Sequence, residues 1–171
     1  MLLAFACHGR LFMAGERTPD AMVAVTTYVG NFVGVVAVAV LVALSGYDNT
    51  TEVCATGVKM GLSSTQCVVR GFLCNVVVCL SVRAQDHAET TVGRLVACVL
   101  PMTCVSMLGW DHAVSDMFVA CIGCATPCEY ARVVAFVTVG NVAGRAFVSH
   151  ALPSVRRWCE QSQSMTGMKG W

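Results

Sequence analysis

The sequence predicts an all-α integral membrane protein, and three observations carry that expectation. Of its 171 residues 56% are hydrophobic and 12% charged, whereas an ordinary soluble domain carries about 25% charged residues; mean hydropathy is +0.68. The apolar residues gather into four long runs between residues 21 and 152, and a helix needs about 20 such residues to cross hydrocarbon. One run carries the string Gly109-Trp110-Asp111-His112-Ala113-Val114-Ser115-Asp116-Met117. Ionisable groups are expensive in lipid, so three of them in one membrane segment point to function.

Each element follows from its residues. Residues 1–6 are apolar but stop at Cys7-His8-Gly9-Arg10. With no basic region ahead and no long apolar core they do not make a signal peptide, and they read as the end of a helix. The first span, 21–46, is approached through Pro19-Asp20, a pair that suits a helix start, and is interrupted only by Thr26, Thr27, Asn31 and Ser45. Residues 47–66 read as a polar loop. The second span, 67–82, contains Arg70 and Asn75, and the polar stretch 83–89 is a turn suited to an antiparallel helix pair. The third run holds Pro101, which removes a backbone donor and clashes with the preceding turn, so a kink is expected there. After Gly109-Trp110-Asp111-His112 the apolar run resumes over 113–125, so 91–125 is expected to be one helix broken near 109–112. The last span, 131–152, is closed by Pro153. The chain is thus expected to be one membrane domain, 1–158, with a tail, 159–171.

Charge sets an expected orientation. Counting alternate connections, one side takes Arg10, Arg17, Arg83, Arg94, Arg156, Arg157 and Lys169, and the other only Lys59 and Arg132. Cytoplasmic loops hold the excess of Lys and Arg, which puts the C-terminus inside and Lys59 outside; Arg70 is expected to snorkel from its span to the interface. A net charge of +1 without a basic patch argues against a nucleic-acid partner. Eleven cysteines are present, but those inside apolar runs behave as small hydrophobes. The spacing Cys121-x-x-Cys124-x-x-x-Cys128 lacks a second pair and a nearby histidine, so no metal, cofactor or enzymatic thiol site is expected. Asn49-Thr50-Thr51 matches a glycosylation acceptor.

An internal echo is more informative. Val29-Gly30-Asn31-Phe32-Val33-Gly34 in the first span recurs as Val139-Gly140-Asn141-Val142-Ala143-Gly144 in the last. Small residues four apart let helix backbones approach closely, and an Asn beside them hydrogen-bonds across the interface. Both copies therefore read as helix packing, and repeated halves are also how many transporters are built.

Together with Tyr28-Val29-Gly30-Asn31-Phe32-Val33-Gly34, the segments Arg70-Gly71-Phe72-Leu73-Cys74-Asn75, Gly109 to Phe118 and Val139-Gly140-Asn141 resemble, in order, the signature segments of the formate/nitrite transporter family. The resemblance implies an aquaporin-like helical bundle, a six-helix protomer assembled as a homo-pentamer in the plasma membrane. It further implies a pore in each protomer for small monovalent anions, such as formate, nitrite or lactate-type monocarboxylates, together with protons. Carried over residue by residue, His112 matches the central pore histidine, Asn75 the pore asparagine, Lys59 the vestibule lysine and Asp111 the acidic residue before the histidine. Relative to the family pattern Met1 falls near the end of the second helix, so the chain is expected to lack the first one and a half helices. Asp116 stands where the family has asparagine and Val105 where an aromatic constriction is usual, so both are expected to modulate the pore. Arg145 replaces a small residue beside Gly144 and is expected to oppose close helix approach.

The chemistry suits these positions on its own terms. A small anion is costly to move through hydrocarbon, and protonation removes that cost. Lys59 at the mouth would concentrate anions, and His112 would donate a hydrogen bond or a proton to a carboxylate; Asn75 would either hold the imidazole or bind substrate. Asp116, four residues from His112, is on the same helical face and is expected to pair with it. The function expected is anion transport linked to proton transfer near His112. The alternative is a non-conducting truncated membrane protein of the same family.

Overall fold

The computed structural model describes residues 21–123 and 125–166 and, within them, the side chains of all but residues 21, 23, 24, 52 and 152–166. Residues 1–6, Arg10, Arg17, Cys124 and Lys169 lie outside the described residues, as do the side chains of Pro153, Arg156 and Arg157. The regular elements of the described chain are all helices: α1 (Ala21–Leu44), α2 (Thr50–Met60), α3 (Ser64–His87), α4 (Thr91–Met107), α5 (Ala113–Ile122) and α6 (Pro127–Thr166). Three helical stretches, Val25–Leu44, Ser64–His87 and Pro127–Ala151, are long and apolar enough to cross a membrane, and α4 and α5 are shorter apolar helices.

Local chemistry sets the ends. α1 stops where Gly46 takes φ 71°, a left-handed conformation that glycine adopts without strain. α3 starts in a capping box: Gln66 N–H donates to Ser63 Oγ at 3.3 Å and Ser63 N–H donates to Gln66 Oε1 at 2.8 Å, which satisfies two of the orphan donors of a helix start. That box, together with polar residues 83–87, makes α3 longer at both ends than the apolar run 67–82. α4 is capped by Thr90, whose Oγ1 accepts from Gly93 N–H at 3.0 Å.

Two expectations need correction. The polar stretch 47–66 is not all loop, because Thr50–Met60 forms α2. Its helicity comes from tertiary contacts: Thr56 Oγ1 donates to Val119 O at 3.0 Å, and Arg132 donates to Met60 O at 2.5 Å and Leu62 O at 2.8 Å. A cation there also suits the negative end of the helix dipole. Pro153 does not end the last helix, which runs on to Thr166, although the apolar stretch ends at Ala151.

Pro101 lies inside α4 and denies Ala97 O its usual i+4 donor. Ser81 Oγ of α3 donates to that carbonyl instead, at 2.6 Å, a repair expected where a membrane helix contains proline. α3 and α6 form the most extensive helix pair, and they touch through glycine. A Cβ on Gly71 would stand 2.6 Å from Val137 O, one on Gly144 2.6 Å from Phe72 O, and one on Gly140 2.8 Å from Phe72 N and closer still to Val68 O. The approach is therefore backbone to backbone, and Arg145, next to Gly144 in sequence, does not hold the helices apart. The other copy of the echo differs: among the described residues nothing lies within 4 Å of a Cβ built on Gly30 or Gly34.

Candidate functional site at the helix break

Between α4 and α5 the chain leaves helical geometry from Leu108 to His112. Gly109 makes the turn at φ 66°, and Trp110 N–H donates back to Val105 O at 3.1 Å. α5 begins at Ala113 with His112 as its N-cap residue, but no side-chain bond from His112 caps it. That work falls to α6: Asn141 Oδ1 accepts from Ala113 N–H at 3.1 Å, while its Nδ2 donates to Gly71 O at 2.8 Å and Asp111 O at 3.4 Å. Asn141 is fully buried. It joins α3, the break and α6 at one point, a larger role than helix packing alone. Asn31, its counterpart in α1, is also buried.

Asn75 reaches the same junction. Its Nδ2 donates to Asn141 O, and its Oδ1 is buried with no hydrogen-bond partner. A buried acceptor without a donor is unfavourable, so this oxygen is poised for one. His112 is half-buried and lies between Asp111 and Ala113, whose carbonyl and amide Asn141 holds.

The acidic residues of the break face a lysine. Lys59 Nζ donates to Asp111 Oδ1, and to Asp116 Oδ1 at 2.5 Å. Both carboxylates are fully buried, and the Lys59 side chain keeps 19% exposure. Arg70 Nη1 lies 3.9 Å from Asp111 Oδ2 and donates to Gly109 O at 3.4 Å. Lys59 is therefore not an open cation at a mouth, and Arg70 does not simply snorkel: the carbonyl freed by the break gives its guanidinium an acceptor. Asp116 sits in the first turn of α5, and its carboxylate is engaged by Lys59 of α2 rather than standing free to serve His112. Two cations and two carboxylates make the cluster formally neutral.

Val105 is buried in an apolar group with Cys74 and Val78, against Val77, Met102 and Trp110. Asn49, in the glycosylation acceptor pattern, donates from Nδ2 to Ile122 O at 3.2 Å. Cys121 is half-buried and Cys128 exposed, and both are free thiols. Sequence reasoning missed Ser81 and Arg132 as partners of backbone carbonyls. A serine 20 residues before a mid-helix proline gives a signal only once α3 is known to lie beside α4.

The family model for the formate/nitrite transporter matches residues 13–155. The Formate channel FocB of Escherichia coli (strain K12) is 29% identical over 98 residues, which cover 53% of this chain and 34% of FocB. A solved structure described as an FNT family ion channel superposes with TM-score 0.72 at 23% identity, covering 78% of this chain and 59% of that one. The chain thus spans about a third of the length of FocB and under two thirds of that channel chain, and the likeness to the solved structure is one of fold. With a helical bundle of matching fold and a family match over most of its length, the chain belongs to the formate/nitrite transporter family.

Proposed function

We propose that this chain provides part of a transmembrane pathway for small monovalent anions, such as formate, nitrite or lactate-type monocarboxylates, with transport linked to protons through His112. The observation that carries it is the polar line buried at the helix break: Lys59 with Asp111 on one side, and Asn75 with its unpartnered oxygen at the Asn141 junction on the other. Burying an unpaired anion costs several kcal/mol or more, and three features of such a line reduce that cost. Lys59 offers the third donor of an ammonium whose other two go to Asp111 and Asp116. The N-terminus of α5, beginning directly after His112, offers the positive end of a helix dipole. The imidazole of His112 donates a ring N–H to a carboxylate oxygen and takes a proton up at its other nitrogen, so that the acid moves on neutral and the imidazole is restored. Asn75 then holds the imidazole or the acid through Oδ1, and Val105, smaller than an aromatic residue, leaves the apolar barrier looser. Family membership supports assembly as a homo-pentamer in the plasma membrane, and the distribution of Lys and Arg supports a C-terminus in the cytoplasm.

A second reading, a non-conducting family member, is favoured by the pairing of Lys59 with two carboxylates. Uptake of radiolabelled formate into proteoliposomes separates the two. The transport reading expects uptake above protein-free liposomes at equal lipid; uptake equal to the protein-free control supports the non-conducting reading.

A further inference from the structure

We propose that Asp116 occupies, on Lys59, the place that an arriving anion takes, and so sets the affinity of the pathway; this rests on the reading of Lys59 as an anion-meeting residue. A lysine ammonium has three donors and no acceptor. Asp111 and Asp116 take two of them, and the exposure left to Lys59 is the side from which an anion approaches.

The two carboxylates are not equivalent. Asp111 has a second cation, Arg70, near its Oδ2, and its main-chain carbonyl is held by Asn141. Both Oδ2 atoms are buried without a hydrogen-bond partner, but Asp116 has no second cation within salt-bridge distance among the described residues and depends on Lys59, from whose Nζ its Oδ1 accepts. A carboxylate is also the same functional group as formate. Held within the protein it competes at an effective concentration on the order of millimolar or above, so dilute formate does not displace it. Displacement would also strand a buried carboxylate without a cation, which is strongly disfavoured. Asparagine at this position would keep the size and an acceptor oxygen but remove the charge.

The test follows the lysine itself. The chain has two lysines, Lys59 and Lys169, so isotopically labelled lysine gives two sets of side-chain NMR signals, and Lys169→Arg leaves one. The full chain in detergent micelles is titrated with sodium formate at constant ionic strength, with sodium gluconate as the balancing salt. Wild type, Asp116→Asn and Asp116→Glu are compared. We expect the Lys59 signals of Asp116→Asn to reach half-shift at about ten-fold less formate or lower, since ten-fold corresponds to the loss of one modest competing contact, with Asp116→Glu close to wild type. Equal half-shift concentrations in wild type and Asp116→Asn would overturn the role of Asp116 and leave Lys59 as an anion site. No formate-dependent shift in either protein would overturn the Lys59 reading and this proposal with it. If Asp116→Asn fails to fold by circular dichroism, Asp116→Ser reads the same loss of charge, with the same outcomes.

Discussion

The echoed glycine motifs allow one chemical change to be made in two surroundings, Gly140→Ala and Gly30→Ala. At position 140 the added methyl would stand 2.8 Å from Phe72 N and closer to Val68 O, both backbone atoms that no rotamer change can move. Reaching ordinary contact with Phe72 N alone requires a shift of about 0.6 Å, and the closer Val68 O requires about twice that, so α3 and α6 must part. Overpacking of this kind costs about 1–3 kcal/mol, offset by up to ~1 kcal/mol because alanine favours helix over glycine. A net loss of about 1–2 kcal/mol lowers Tm by roughly 2–8 °C for a chain of this size. At position 30 nothing described lies within 4 Å, so only the gain in helix propensity remains and Tm holds or rises. Far-UV circular dichroism melts in one detergent measure both, and a thiol-reactive dye follows release of the buried Cys67, Cys74 and Cys79 on α3. Equal melting temperatures for the two variants, or a rise for Gly140→Ala, would refute the close approach of α3 and α6.

Other predictions concern single contacts. Asn141→Leu leaves Ala113 N–H without its acceptor and lowers stability by about 1–3 kcal/mol, whereas Asn75→Leu, which also removes an unpartnered oxygen, costs less; the same melts rank the pair. Ser81→Ala strips Ala97 O of its donor opposite Pro101 and costs about 1 kcal/mol, while Ser81→Ala combined with Pro101→Ala costs less than Ser81→Ala alone, because the helix regains its own bond. Asp48, ahead of α2, is held below the usual carboxylate range by the hydroxyl and amide of Thr50. A carboxyl so lowered gives its support above the ordinary carboxylate value and loses it as pH falls through the lowered one. The Thr50 amide resonance should accordingly be constant at neutral pH and shift only in acid, and Asp48→Asn should abolish that shift.

What could be read from the sequence was local. Hydropathy and run length dictate helices because backbone groups in lipid must be satisfied within the segment, and the all-helical bundle follows. α2 could not be read in the same way. Its residues, with Asp48 and Asn49 ahead and Thr50, Thr51, Gly57 and Lys59 within, have the composition of a loop, and contacts to Val119 and Arg132 make them a helix. The pairing of Lys59 with Asp116 spans 57 positions and depends on where α2 lands, so sequence spacing suggested instead that Asp116 served His112, four residues away. The two glycine motifs show the limit most plainly: the same pattern is a tight interface in α6, whereas among the described residues nothing packs on the glycines of α1, because packing belongs to the neighbour as much as to the motif. The residues at the break were visible as polar groups in an apolar run, but their connection through Asn141 required the fold.

The central claim is that His112 links anion movement to protons. The direct measurement is formate accumulation in proteoliposomes under an imposed gradient, acid outside, for wild type and His112→Ala with matched melting temperatures. The account predicts accumulation in wild type that grows with the gradient and falls to the protein-free level in His112→Ala. Gradient-driven accumulation that survives His112→Ala unchanged would contradict it.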